Sequence, residues 1–284
     1  MTSTVTAPPR PLLPACPAQT LAAQVAALLP ARAGQGWTVE PYKAWWTTKP
    51  AARLVQGDRA LVLAAYPWHT DIAWQLPDRE PDSADLRIER MAPAPIARDV
   101  LRLVLPVLDD EAARARQGGP RVMGRLELLN DIGSALRAQG AATYNRVGLL
   151  ADTSTLAWGA GGLRYSVTMH GTNPVCDVQI QGPVRAVERV IGRFMPAPDR
   201  KRPMALPGVR GRLQRRLAGS LARYGTVEQT EQGGLAFAAG PGPYGYAAPA
   251  SDPAARAHDA APASVDLHGV GVDLLVALAP HLAH

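Results

Sequence analysis

Residues 154–181 read STLAWGAGGLRYSVTMHGTNPVCDVQIQ. Three runs alternate apolar and polar side chains, as half-buried strands do, and two short glycine-bearing links separate them. Links of four residues, at 159–162 and 171–174, cannot carry a parallel crossover, which needs a dozen or more. The strands therefore run antiparallel. An amphipathic helix precedes them, RLELLNDIGSALRAQG over Arg125–Gly140, closed by Gly140, with the extended run ATYNRVGLL in between. Another follows, PVRAVERVIGRFM, with Pro183 at its first position.

The same order recurs on both sides. Upstream, TLAAQVAALLPA reads as a helix with Thr20 as N-cap. The extended pieces WTVEPYKAWWTT, RLVQ, RALVLAAY and HTDIAWQL follow, with a turn at Gly57-Asp58. The helical PIARDVLRLVLPVLDDEAARAR then carries Pro106, which is expected to kink or interrupt it. Downstream, helical VRGRLQRRLAGSLARYG leads to TVEQTEQ, a turn at Gly233-Gly234, LAFAA, SVDLHGV and a last helix, DLLVALAPHL.

These passes predict an α+β fold of antiparallel sheets with helices on one face, in three helix–three-strand–helix pseudo-repeats. The units are expected at 20–117, 121–197 and 208–284, with a basic linker at 198–207. A Pro-rich tail over 1–19 is expected to be disordered, and a Gly/Pro/Ala loop over 240–262 to be mobile.

Charge is lopsided. The chain carries +6, yet Pro183–Tyr224 alone holds eleven basic residues against Glu188 and Asp199. Arg185, Arg189 and Arg193 form one i, i+4 stripe. Arg212, Arg215, Arg216 and Arg223 lie away from the apolar face of Val209, Leu213, Leu217, Leu221 and Tyr224. Arg200, Lys201 and Arg202 stand between the two stripes in sequence. Together these ten residues are the candidate polyanion-binding surface. A solvated helix face explains the same pattern without a ligand. So does coding bias in a GC-rich genome, since Lys43, Lys49 and Lys201 are the only lysines among 30 basic residues.

Other motifs carry less chemistry. Trp45 and Trp46, between Lys43 and Lys49, are candidate stacking residues for single-stranded nucleic acid. In a strand they would point to opposite faces. Gly240-Pro-Gly242-Pro-Tyr-Gly245 spells a dinucleotide fingerprint, but its prolines remove amides and no helix opens after it. His69, Asp71 and a distant His170 resemble the H-x-D…H pattern of iron- and oxoglutarate-dependent oxygenases. That family implies a jelly roll and an arginine about ten residues past the second histidine, and neither is present here. No serine or cysteine nucleophile motif, zincin motif or Walker loop occurs. No metal or other cofactor is expected.

The helix–three-strand–helix order is similar to the double-stranded-RNA-binding domain and to small chaperone-like α+β modules. The first resemblance implies a lysine-rich start to the second helix. PIARDV, PVRAV and VDLLV lack it, so RNA binding does not transfer.

Two cysteines, Cys16 and Cys176, give no disulfide framework and fit a reducing, cytoplasmic setting. No apolar run of the length needed to span a bilayer occurs, and MTSTVTAPPRPLLPACPAQ lacks the layout of a secretory signal. The resulting expectation is a non-enzymatic, basic binding protein, a nucleic-acid-binding accessory factor of a mobile element with no membrane partner. The alternative is a protein–protein adaptor or chaperone-like module, homodimeric in one version, and a metal-dependent enzyme ranks third.

Overall fold

The computed structural model describes residues 17–89, 91–115, 122–147, 152–171, 173–198, 206, 208–240, 242–249 and 258–284. Helix α1 (Pro17–Ala26) begins three residues before the expected cap at Thr20. Proline suits a first helical turn, where its missing N–H would have no partner anyway. Residues 17–19 thus belong to a helix rather than to a disordered tail, and 1–16 lie outside the described residues.

Strands β1 (Thr38–Tyr42), β2 (Ala51–Gln56), β3 (Arg59–Ala65), β4 (Thr70–Gln75) and β5 (Leu86–Ile88) form an antiparallel meander in chain order. Leu54, Leu61, Leu63 and Ile72 face the main core. Alternate residues Ala51, Val62, Ala64 and Ala73 face the other way, under Tyr42, Trp46 and Tyr66.

A continuous helical stretch follows, made of α2 (Pro93–Asp99), a π turn (Val100–Val104) and α3 (Leu105–Ala115). The Leu105 N–H donates to the Val100 carbonyl, five residues back. Pro106 has no N–H for the ordinary i−4 bond and its ring crowds that position. Instead of interrupting the helix, it is accommodated by a widened turn just before it. From that turn Arg102 donates to the Arg193 carbonyl at a distant helix end. Burial pulls the Arg102 pKa down to about 10, with Arg98 adding to the shift, so it stays charged at neutral pH.

The remaining elements are α4 (Val122–Ala138), β6 (Thr143–Val147), β7 (Thr153–Ala160), β8 (Leu163–His170), β9 (Val175–Pro183) and α5 (Val184–Phe194). After them come α6 (Arg212–Leu221), β10 (Thr226–Gln229), β11 (Leu235–Ala238), β12 (Tyr244–Pro249), β13 (Pro262–Gly271) and α7 (Val272–Leu282). All eight strands join one antiparallel sheet in the order β10-β11-β12-β13-β9-β8-β7-β6. The β7–β8 hairpin turns on Gly161 and Gly162, at φ +58 and +78, the left-handed pair that a tight hairpin requires.

The fold is α+β with antiparallel sheets. The strand count differs from the expected three per helix pair: five lie between α1 and α2, four between α4 and α5, and four between α6 and α7. One of the added strands is β12, which occupies 244–249 inside the expected mobile loop. Tyr244 and Tyr246 point outward, while Gly245, Ala247 and Pro249 are buried. Residues 250–257 lie outside the described residues.

One apolar core runs from Leu21 to Leu282 and unites both sheets. Helices α3 to α7 contact the eight-stranded sheet, on whose inner face Leu156, Tyr165, Val167, Val178, Ile180 and Val265 are buried. The opposite face is polar, with Thr155, Thr168, Asp177, Gln179 and Asp266. Among the described residues no helix is long and apolar enough to cross a membrane.

Candidate functional site

Helix α5 buries Val184, Val187, Val190, Ile191 and Phe194, which leaves Arg185, Arg189 and Arg193 on its exposed side. Helix α6 buries Leu213, Leu217 and Leu221, with Val209 just ahead of it, as the sequence pattern indicates. The two helices pack against each other. Gly192 makes the contact close, since a Cβ there would sit 2.5 Å from the Tyr224 Oη. Between them opens a shallow cleft of about 330 Å³ lined by Arg185, Arg189, Arg216, Arg223, Glu188 and Asp259.

The cleft sorts its arginines into two kinds. Arg216 donates through Nε to Glu188 Oε1 at 3.0 Å, and its Nη2 lies 2.7 Å from Glu188 Oε2 and 2.9 Å from Asp259 Oδ1. Arg185 donates to Asp259 Oδ2 at 2.9 Å, and Ser220 Oγ donates to Glu188 at 3.1 Å. Hydrogen bonds from Arg216, then Arg185, hold the Asp259 carboxyl below the ordinary carboxylate range. Arg189 and Arg223 are exposed, and no carboxylate pairs with either among the described residues. Four guanidiniums against two carboxylates leave the cleft at net +2.

The other candidates separate. Arg212 and Arg215 are exposed on α6 but do not line this cleft, and Arg193 stands a full turn beyond Arg189. Arg200, Lys201 and Arg202 lie outside the described residues. Trp45 and Trp46 occupy a turn between β1 and β2 rather than a strand. Trp45 is 65% exposed, whereas Trp46 packs beside the Ala51/Val62 cluster. Sequence reasoning missed Glu188 and Asp259 as the carboxylates that pin Arg216 and Arg185. Asp259 is 74 residues from Arg185, and no local pattern signals such a pairing.

A larger cavity of about 340 Å³ lies between the five-stranded sheet and α3/α4. Arg32 and Arg59 at its base meet Asp109 of α3 and Asp273 of α7. Arg59 donates to Asp109 Oδ1 at 2.9 Å and Asp273 Oδ2 at 2.8 Å, and Arg32 donates to the same Asp273 oxygen at 2.8 Å. Burial alone disfavours the Arg32 cation, but Asp109 and Asp273 outweigh it and raise its pKa. Two cations and two anions cancel, and the quartet joins the first sheet to the last helix.

Of the H-x-D…H residues, His69 and Asp71 are neighbours, with Nε2 and Oδ1 3.6 Å apart, but His170 does not join them. His69 stacks on Tyr66 with ring centroids 4.3 Å apart, and Asp71 accepts from Arg87 Nε at 3.0 Å. His170 lies in the other sheet, where it and His268 flank Asp177 at 3.1 and 2.9 Å. Among the described residues no three His, Cys, Asp or Glu are grouped to hold a metal ion.

Cys176 is fully buried in β9, and burial pushes its thiol up to about 12. At pH 8 the reactive thiolate is therefore suppressed in the folded chain. In a Cys16→Ser variant, a disulfide reagent at pH 8 should label Cys176 only after denaturant is added. Rapid stoichiometric labelling of the native variant would contradict the closed β8–β9–β13 core.

Comparison of the chain with protein-family models, curated proteins and solved structures returns no match.

Proposed function

We propose that the α5–α6 face holds a phosphate-bearing polyanion, the backbone of a nucleic acid, and performs no reaction on it. One observation carries this reading: Arg189 and Arg223 are exposed and, among the described residues, without a carboxylate partner in the same cleft where carboxylates fix Arg185 and Arg216. Fixed arginines give the cleft its shape, and the unpaired ones are the donors left for phosphate oxygens. A cytoplasmic setting goes with it.

The test is salt-dependent binding of a labelled DNA duplex, followed by fluorescence anisotropy. Each neutralised phosphate releases counterions, so affinity should fall linearly on a log–log plot against salt. An Arg189→Gln/Arg223→Gln variant should bind more weakly and flatten that slope by about two phosphate equivalents. Its unfolding free energy should stay within about 0.5 kcal/mol of the native value, as is usual for exposed surface changes. An unchanged slope, or no binding by the native chain at low salt, rules the reading out.

A second reading, a protein–protein adaptor, draws on the polar face of the eight-stranded sheet, where Tyr144, Tyr244 and Tyr246 stand exposed. A dimer formed through that face would bury all three rings.

A further inference from the structure

We propose that one end of the five-stranded sheet is a stacking platform for single-stranded nucleic acid, with Trp45 and Trp68 as its ring faces and Lys43 and Lys49 as its phosphate contacts. This extends the polyanion reading of the α5–α6 cleft to a second surface.

The tryptophans divide cleanly. Trp158 and Trp74 are buried, Trp37 lies against the Arg59 guanidinium, and Trp46 packs beside the small-residue face of the sheet. The remaining two of the six are Trp45 and Trp68, 65% and 84% exposed. Topology brings these two to the same place. In an antiparallel meander the β1–β2 and β3–β4 connections leave from the same end of the sheet. Thr47 and Tyr66 hydroxyls join those connections at 2.7 Å, and the Ala65 N–H donates to the Pro50 carbonyl. Trp45 stands two residues before Thr47, and Trp68 two residues after Tyr66. The second connection is also braced, by the Tyr66–His69 stack and a Tyr66 N–H bond to the His69 carbonyl at 3.0 Å. The rings are thus presented on anchored turns, which lowers the entropic cost of stacking a ligand on them.

Charge fits the same ligand. Neither connection, 43–50 or 66–69, contains an acidic residue, and both exposed lysines of the first lie here. Of the acids flanking this end, Asp71 is held by Arg87 and Glu80 accepts from Tyr42, which leaves Glu89 as an exposed one. Unpaired bases offer π faces to aromatic side chains, and cations track the phosphates between them. A duplex hides those faces. A bilayer surface would call for a larger apolar area or a cluster of four or more cations.

The experiment compares a labelled oligo(dT) with a duplex of equal length, using the full chain. Trp45→Ala/Trp68→Ala should lose affinity for oligo(dT) by roughly 100-fold, about tenfold for each stacked base. Duplex affinity should change less than about twofold, since stacking is not available there. Oligo(dT) should quench the tryptophan emission of the native chain, and not that of the double variant. Equal oligo(dT) affinity of the native and double-variant chains, with matching circular dichroism, overturns the proposal. So does binding of phosphatidylserine vesicles through these two rings with no oligo(dT) quenching, which would assign the tip to lipid. The Arg189→Gln/Arg223→Gln variant keeps the cleft separate: native-like duplex binding by that variant counts against the cleft alone.

Discussion

Replacing Asp273 with alanine should lower the free energy of unfolding by about 3–5 kcal/mol, the usual cost of stranding a buried charge. Asp273 is 1% exposed and accepts from both Arg32 and Arg59. Without it, two guanidiniums with little access to water would share Asp109 as their one hydrogen-bonded carboxylate, with Asp131 acting on Arg32 without a hydrogen bond. Urea titration followed by circular dichroism would measure the loss. The joint change Arg59→Leu/Asp273→Leu removes one charge of each sign and should cost clearly less than Asp273→Ala. Equal or greater loss in the joint variant would mean that packing, not charge pairing, dominates here.

A second large effect is expected at Gly245. This residue sits in the middle of β12, opposite Leu267 of β13. A Cβ placed there lands on the Asp266 carbonyl oxygen and lies 3.2 Å from the Leu267 Cα. Backbone atoms of a paired strand cannot rotate aside as a side chain could. Gly245→Ala should therefore cost about 3 kcal/mol, the upper end of ordinary overpacking. Thermal unfolding should shift down by roughly 6–12 °C for a chain of this size. A melt within about 2 °C of the native protein would show that β12 can slide on β13 at no cost.

The sequence made some of this architecture legible, for identifiable reasons. Turn lengths at 159–162 and 171–174 settled the antiparallel pairing, because chain reach leaves no alternative. The faces of α5 and α6 were legible because apolar residues recur there with helical spacing. Strand β12 was not. Its run YGYAAP has none of the β-branched residues that favour strands, and its pairing with β11 and β13 is supplied by neighbours. Pro17 was misread because proline is poor within a helix but suited to its start. The candidate arginines were visible as a group, yet which of them are already paired depended on Asp259 and Glu188. Trp68 carried no special signal in HTDIAWQL or its approach, since exposure of a lone ring is set by the tertiary fold.

The Arg32–Asp273 contact also has a consequence in time. Its partners are 241 positions apart, whereas Asp109 follows Arg32 by 77. At about 5–20 residues per second, translation separates Arg32 from Asp273 by roughly 12–50 s. From the synthesis of Asp109 until that of Asp273 a nascent chain holds two guanidiniums for one hydrogen-bonded carboxylate, so the rim of its first sheet is expected to stay hydrated and open. Arrival of α7 supplies the missing charge and lets the rim close. A ribosome stalled before residue 273 would therefore display a protease-sensitive first sheet, and the released chain a resistant one.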